Sequence, residues 1–350
     1  MNQKKVFISI INWNRWDITI ECVESLLKLD YPNYHIIMID NNSTNDSLEN
    51  IQAYLRRQLE PHYPKGSSIE KYVAPIGTSP VSHNIILEND FTLEYLEGEN
   101  LPTVTIVKNP ENYGFGYAHN QTLNLIENSK LDAYVWVLNN DVVVAPDSLT
   151  ELVKSLEGDT KTAYVGSLLP FYHEPELLQC AGGATFIPLL GFGKLYKKNA
   201  QIDSVKDLTD EEIARNINYI PGTSILFRKE ALKELHGFHP DFKIYTEDVD
   251  LAFRAKKAGW NIRVAKESIV YHMESKSTAG RKGMFYFLYH RGNVVFLRKH
   301  FPVFIFISAI PGMIIHSLKM SFSLVNTWFT IKGIAAGFRE KLTNGLQVNN

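Results

Sequence analysis

The stretch Tyr134-Val135-Trp136-Val137-Leu138-Asn139-Asn140-Asp141 decides how the chain is read. Its first five residues are apolar without interruption and rich in β-branched and aromatic side chains. That is the composition of a strand buried on both faces, as in parallel sheets. Polarity then reverses within one residue, to two amides and a carboxylate. Open α/β sheets bind ligands beyond the carboxyl ends of their strands. A carboxylate delivered there can hold a divalent cation against a diphosphate. Asn-Asn-Asp is also ordinary turn chemistry ahead of a helix at Pro146, so the rest of the chain has to choose between the two.

Working outward, the same strand-then-polar-loop pattern recurs. Val6 to Ile11 is apolar and is followed by Asn12-Trp13-Asn14-Arg15. Asp17 to Lys28 places Ile18, Cys22, Leu26 and Leu27 at helical spacing. His35 to Ile39 reads as a second strand, ended by Asp40-Asn41-Asn42-Ser43, with Ser43 or Thr44 capping a helix to about Arg57. Strand–helix–strand–helix order predicts a mostly parallel, Rossmann-like central sheet with right-handed crossovers. Residues 59–101 break the pattern with Pro, Gly and Ser. Their short apolar runs, Ile85 to Leu87 and Phe91 to Tyr95, predict an insertion, a hairpin on the sheet's rim.

Thr103 to Val107 resumes the sheet, and Asn109 to Asn120 is a glycine-bearing loop entering a helix. Strands follow at Ala163 to Leu169, at Tyr219 to Phe227 (interrupted by Pro221-Gly222-Thr223), at Ile262 to Ala265 and at Ser268 to Tyr271, the last ending at His272. Gln179 to Tyr196 is irregular or β. Helices are expected from Pro146 to Leu156, over Thr209 to Asn216 and Lys229 to Leu235, after Tyr245-Thr246-Glu247-Asp248, and from Met284 to His300.

The 350 residues carry a net charge of −2 that hides an asymmetry. From Lys276 onward there are ten Lys or Arg and one acid, Glu340. A basic, apolar tail on an acidic body suits anionic lipid head groups, and no nucleic-acid motif is present. Val303 to Ile315 is apolar but contains Pro311 and Gly312, and is shorter than the ~20 residues a spanning helix needs. Together with Met320 to Phe338 it reads as helices lying in an interface. The expected division is residues 1–275 as one nucleotide-binding unit and 276–350 as a helical, membrane-proximal extension. Cys22 and Cys180 sit in apolar surroundings without metal-type spacing and read as buried thiols in a reducing compartment. Met1 to Lys5 lacks the apolar segment of a signal peptide. The expected location is cytoplasmic, peripheral on the inner face of the cell membrane.

Five segments in this order resemble family 2 glycosyltransferases with the GT-A fold, in particular bacterial rhamnosyltransferase-like members. They are SIINWNRWDITIECVESLLKLDYPNYHIIMIDNNSTNDS, NPENYGFGYAHNQTLN, YVWVLNNDVVVAPD, YIPGTSILFRKEALKELHGFHPDFKIYTEDVDLAFRAKKAGW and VYHMES. The resemblance covers most of positions 6 to 300. It implies an α/β GT-A architecture and an inverting transfer of a sugar, such as rhamnose, from a uridine or thymidine diphosphate sugar. The implied acceptor is a saccharide, lipid-linked in view of the basic apolar tail, in cell-surface polysaccharide synthesis.

The chemistry has three tasks: hold the nucleotide, neutralise the departing diphosphate, and take the acceptor's proton. Asn139-Asn140-Asp141 matches the family's DXD motif with Asn in its first place, so Mg²⁺ or Mn²⁺ would rest mainly on Asp141, with His272 as second ligand. Glu247-Asp248 matches the family's ED motif, with Asp248 as general base and Glu247 and Asp250 as fallbacks. Asn12, Asn14, Asp40 and Asn42 lie past the first two strands, and Asp40 matches a base-reading aspartate able to accept an imide N–H. Asn112, Gly114, Asn120, Asn139 and Asn140 are further nucleotide contacts, Gly222, Thr223 and Asp250 sugar contacts, and Arg281 and Lys282 a phosphate clamp. Two other readings fit some of the residues: a sugar nucleotidyltransferase, disfavoured by the glycine-free Asn12-Trp13-Asn14-Arg15 loop, and a non-catalytic nucleotide-sugar-binding subunit of a glycan assembly complex.

Overall fold

Alternate residues of the first strand, β1 (Lys5–Asn12), feed two different cores. Val6, Ile8 and Ile10 pack with Met38 and Trp136 beneath the helices Trp16–Leu26, Ser47–Leu55 and Ser148–Glu157. Phe7 packs with Ile37, Val135 and Val137 on the opposite face, covered by the helices Phe115–Asn128, Lys229–Leu235 and Glu247–Lys257. A period of two in the strand thus builds three layers, helix–sheet–helix. The computed structural model describes residues 3–61, 63–273, 282–321 and 323–343.

The remaining strands are β2 (Tyr34–Asp40), β3 (His83–Leu87), β4 (Val104–Lys108), β5 (Ala133–Leu138), β6 (Val142–Val144), β7 (Thr162–Pro170), β8 (Leu178–Cys180), β9 (Ala184–Ile187), β10 (Phe192–Leu195), β11 (Ser224–Phe227) and β12 (Asn261–His272). The main sheet runs β3-β4-β2-β1-β5-β11-β7-β12-β6, with β8 beside β7, while β9 and β10 form a separate hairpin. From β3 to β5 every pairing is parallel. β11 is antiparallel to both β5 and β7. Every residue of β5 is buried, Trp136 completely, as its apolar run requires. A side chain of that kind stabilises by roughly 1.5–3 kcal/mol on burial.

The expected hairpin in residues 59–101 is not formed. β3 adds to the sheet as a parallel edge strand on β4. Phe91 to Tyr95 gives no strand; Leu93–Leu96 is a helical turn capped by Thr92, whose side chain accepts from Tyr95 N. The two strands expected after Trp260 are one, β12, with a register shift between Ala265 and Ile269.

The helix Lys282–His300 is not an appendage. Val294 and Phe296 join a third core with Phe186, Phe242 and Val249. The expected boundary at 275–276 lies outside the described residues. Beyond it come the short helix Pro302–Phe304, a π-helical turn Ile305–Ala309, and the helices Ile310–Ser321 and Leu324–Arg339. Among the described residues no helix is long and apolar enough to cross a membrane.

Candidate functional site

Backbone pairing fixes the turn after β5 before its side chains matter. Asn139 N donates to Thr223 O at 3.0 Å, and Met273 N donates to Asp141 O at 2.9 Å. His272 stands opposite Val142 in the β6–β12 ladder. Residues remote in sequence are thereby brought together, with His272 Nε2 3.2 Å from Asp141 Oδ1. Burial pushes the Asp141 carboxyl up, but the facing His272 and hydrogen bonds from its own loop and Asn139 bring it below the usual carboxylate range.

The ring of His272 has one nitrogen committed. Nδ1 lies 2.7 Å from Gln179 Oε1, an acceptor, so it carries a proton. In the neutral ring Nε2 then holds a bare lone pair. It is buried, has no hydrogen-bond partner and faces a carboxylate oxygen. Two lone pairs at this separation require a proton or a cation between them. The pair therefore fits a divalent ion, although among the described residues no group of three or more His, Cys, Asp or Glu surrounds it. Such an ion would complete its shell with water and phosphate oxygens, as Mg²⁺ commonly does.

The second cluster sits at the start of the helix Glu247–Lys257. Tyr245 (φ 65°) and Thr246 (φ 73°) are consecutive left-handed residues without being glycine, a strain of roughly 1–3 kcal/mol each. Contacts from the C-terminal helix hold them there. Thr246 Oγ1 donates to Asn293 Oδ1 at 2.9 Å, and Asn293 Nδ2 donates to Gly191 O at 2.9 Å. Gly292 allows this approach, since a Cβ there would lie 2.7 Å from both Thr246 Oγ1 and Tyr245 O. The turn aims Asp248 at the loop before β11, where Gly222 N donates to its Oδ2 at 3.1 Å. Burial pushes the Asp248 carboxyl up to about 6. Burial, and then the neighbouring Asp248, raises Glu247 well above the usual range, and its Oε2 has no partner.

Both clusters open into one cavity of about 870 Å³. Of the residues expected to contact nucleotide or sugar, Asn112, Gly114, Asn139, Asn140, Gly222 and Thr223 line it. Gly114 is required, because its φ is +80° and a Cβ would lie 2.6 Å from Lys243 O. Asn12, Asn14, Asp40 and Asn42 are not in the lining. Asp40 is fully buried and accepts from Asn12 Nδ2, Ser43 Oγ and Ser43 N, tying the β1 and β2 loops together. Asn14 Oδ1 accepts from Thr44 N in the same knot. Asn120 is spent at both ends of its amide on Phe238 backbone. Asp250 is fully buried between Arg254 at 2.6 Å and His300 at 2.8 Å, away from the cavity. Arg281 and the side chain of Lys282 lie outside the described residues. Among described residues the lysine and arginine of the lining are Lys243 and Arg15.

Sequence reasoning passed over Trp13, Asn41, Phe285, Tyr289 and Asn293. Trp13 and Asn41 stand inside loops already singled out, and an exposed Trp beside two Asn was a usable signal. Phe285, Tyr289 and Asn293 come from the C-terminal helix, and nothing local in sequence links them to Asp248.

A mostly parallel sheet in which β11, β6 and β8 pair antiparallel, with an Asn-Asn-Asp turn and an acid pair around one cleft, has the features of a glycosyltransferase of GT-A fold. The family described as glycosyltransferase-like family 2 matches residues 88–283, and the glycosyl transferase family 2 description matches residues 7–65. The chain belongs to glycosyltransferase family 2. It is 24% identical over 253 residues to the N-acetylglucosaminyl-diphospho-decaprenol L-rhamnosyltransferase of Mycobacterium tuberculosis, covering 67% of this chain and 81% of that one. Solved structures that share the fold include two glycosyltransferases with bound nucleotide. One is GalNAc-T7 with UDP, GalNAc and Mn2+, at TM-score 0.55 and 15% identity, covering 87% of this chain. This chain spans 49% of that longer one. The other is the Pyrobaculum calidifontis mannosyltransferase PcManGT with GDP-Man and Mn2+, at TM-score 0.50 and 15% identity, covering 97% of this chain and 77% of that one.

Proposed function

We propose that the chain is a metal-dependent, inverting glycosyltransferase acting on a nucleoside diphosphate sugar and a lipid-linked saccharide. The observation that carries this is the opening of Asp141–His272 and Glu247–Asp248 into one cavity of about 870 Å³. The named activity of the mycobacterial relative supports rhamnose as the sugar and a polyprenyl-diphosphate-linked acceptor. A thymidine or uridine diphosphate is the proposed carrier, on the resemblance alone, since Asp40 turns its carboxylate into its own loop.

Asp141 Oδ1 and His272 Nε2 would hold Mg²⁺ or Mn²⁺. When bound, the ion offsets the charge that grows on the leaving diphosphate. Lys243 and Arg15 supply further positive charge at the same cavity. Asp248 takes the proton of the acceptor hydroxyl while that oxygen bonds to the anomeric carbon. The bond from that carbon to the diphosphate oxygen breaks, and its electron pair leaves with the diphosphate. One displacement inverts the anomeric centre. Glu247 sits beside the base, its carboxyl raised well above the usual range by burial and then by Asp248.

The test is a panel of nucleotide sugars assayed for slow hydrolysis with Mn²⁺ and with chelator. Release of nucleoside diphosphate from one donor, abolished by chelator, is the expected result. Nucleotide binding with no hydrolysis or transfer at any metal concentration returns the non-catalytic reading.

A further inference from the structure

The C-terminal helices bury Ile305, Ala309, Met313 and Ile334 in the third core, yet they are apolar on the outside as well. Ser317 and Thr330 are fully buried between them, with Thr330 Oγ1 donating to Ser317 Oγ at 2.8 Å. His290 is also fully buried, and His316 stacks on Phe192. Facing outward are Val303, Ile307, Ile315 and Leu318 on one run, spaced at multiples of a helical turn. Leu324, Val325, Trp328 and Ile331 follow on the next helix, with Leu324 84% and Trp328 50% exposed. A helix that faces water carries polar residues on that outer face instead. Exposed apolar stripes of this kind mark interaction surfaces.

Charge and length say what covers this face. Lys319, Lys332 and Arg339 are exposed on the same helices, and Lys332 Nζ lies 3.5 Å above the Trp328 ring. No Asp or Glu occurs from 276 to 339. Basic side chains beside an apolar, Trp-bearing face suit an anionic lipid surface, whereas a second copy would bring like charges together. No described helix is long and apolar enough to span, so these would lie in the interface.

The face also connects to the cavity. Ser308 Oγ donates to Leu189 O, docking the tip of the β9–β10 hairpin, where Leu189 and Leu190 are exposed, onto these helices. The base of that hairpin puts Phe186 and Leu195 in the cavity lining, opposite no strand of the main sheet, and Phe285 and Tyr289 join them from the helix Lys282–His300. We infer that the outer face of residues 302–319 and 323–339, with the Leu189-Leu190 tip, docks on an anionic bilayer. The lipid of the acceptor then stays in the membrane while its sugar enters past Phe186, Leu195, Phe285 and Tyr289. The entry route rests on the proposed lipid-linked acceptor; the docking does not.

The test uses the full chain and vesicles of phosphatidylcholine with or without phosphatidylglycerol. Wild type should sediment with the anionic vesicles. Leu324→Glu with Trp328→Glu should weaken that by about tenfold or more, with unchanged thermal stability and donor hydrolysis. It should also lose transfer to a long-chain lipid acceptor but keep transfer to a water-soluble analogue. Equal vesicle binding by variant and wild type overturns the proposal. So does a wild-type dimer that ignores vesicles and that the variant splits. Absence of donor hydrolysis in both proteins sinks the enzymatic reading instead and leaves the vesicle result to stand by itself.

Discussion

Asp248 carries the sharpest expectation at the level of single residues. Asp248→Asn should lower transfer by about 10²–10⁴-fold, the usual worth of a general base, with nucleotide affinity close to wild type. Wild-type turnover in this variant would remove Asp248 from the mechanism. Its carboxyl is raised to about 6 by burial, so the ionised base is lost as pH falls through that value. The pH profile of kcat/KM should therefore drop below about pH 6. The same shift has the opposite sign for stability. A carboxyl with a raised folded pKa favours the fold below its unfolded value and loses that contribution as pH rises through about 6. Asn sheds the carboxylate charge, but its NH2 cannot accept, while Gly222 N donates to Oδ2 and Val249 N to Oδ1 in the wild type. The gain and the lost bond oppose each other. The variant's unfolding temperature should simply vary less with pH around about 6 than that of wild type.

At the level of elements, the helix Glu247–Lys257 is held on two sides of its N-terminal turn by residues with different duties. Asp250 was expected to touch sugar and is instead the helix's anchor to Arg254 and His300. Burial raises its carboxyl, yet Arg254 and His300 outweigh that and bring it down to about 2. It contributes stability above the unfolded carboxylate value, and this is lost only as pH falls through about 2. Asp250→Ala should cost about 3–5 kcal/mol in thermal or denaturant unfolding, as for other broken buried pairs, while donor affinity stays at wild type where the protein is folded. Asn293 acts on the opposite side of the same turn. Asn293→Ala strands Thr246 Oγ1 and Gly191 O, costing about 1–3 kcal/mol, and frees the left-handed Tyr245-Thr246 pair to relax. Its kcat should fall while the donor KM changes little, and the pH profile set by Asp248 should move; a loss of stability alone would make Asn293 merely structural.

At the level of the whole molecule, the two clusters belong to different strands and one helix, and only the closed sheet brings them to one cavity. Ligand that binds the folded state raises its unfolding temperature. Mn²⁺ with a nucleoside diphosphate should stabilise wild type more than either alone, and Asp141→Ala should abolish that synergy in a thermal shift assay. Equal synergy in the variant would place the ion elsewhere.

Much of this was legible in the chain order. β1, β2 and β5 announce themselves because burial on both faces demands uninterrupted apolar runs, and their polar ends follow from where such strands emerge. Asp141 and Glu247-Asp248 stood out because each interrupts such a pattern with charge. Three things were settled only in three dimensions. Edge strand β3 is short and half-buried, so its pairing with β4 had no strong pattern to betray it. Asp40 and Asp250 read like site acids, but their nearest partners, Ser43 and Asn12 in one case and Arg254 and His300 in the other, turn them inward. Asn293 and Tyr289 reach the site from a helix dozens of residues away, through packing that no local periodicity encodes. Sequence by itself determined the strands, their polar ends and the chemical types offered there, because hydrophobic period and turn chemistry are local. Which of those groups face one another, and which are consumed as scaffold, depended on long-range pairing and packing, and so belonged to the tertiary structure alone.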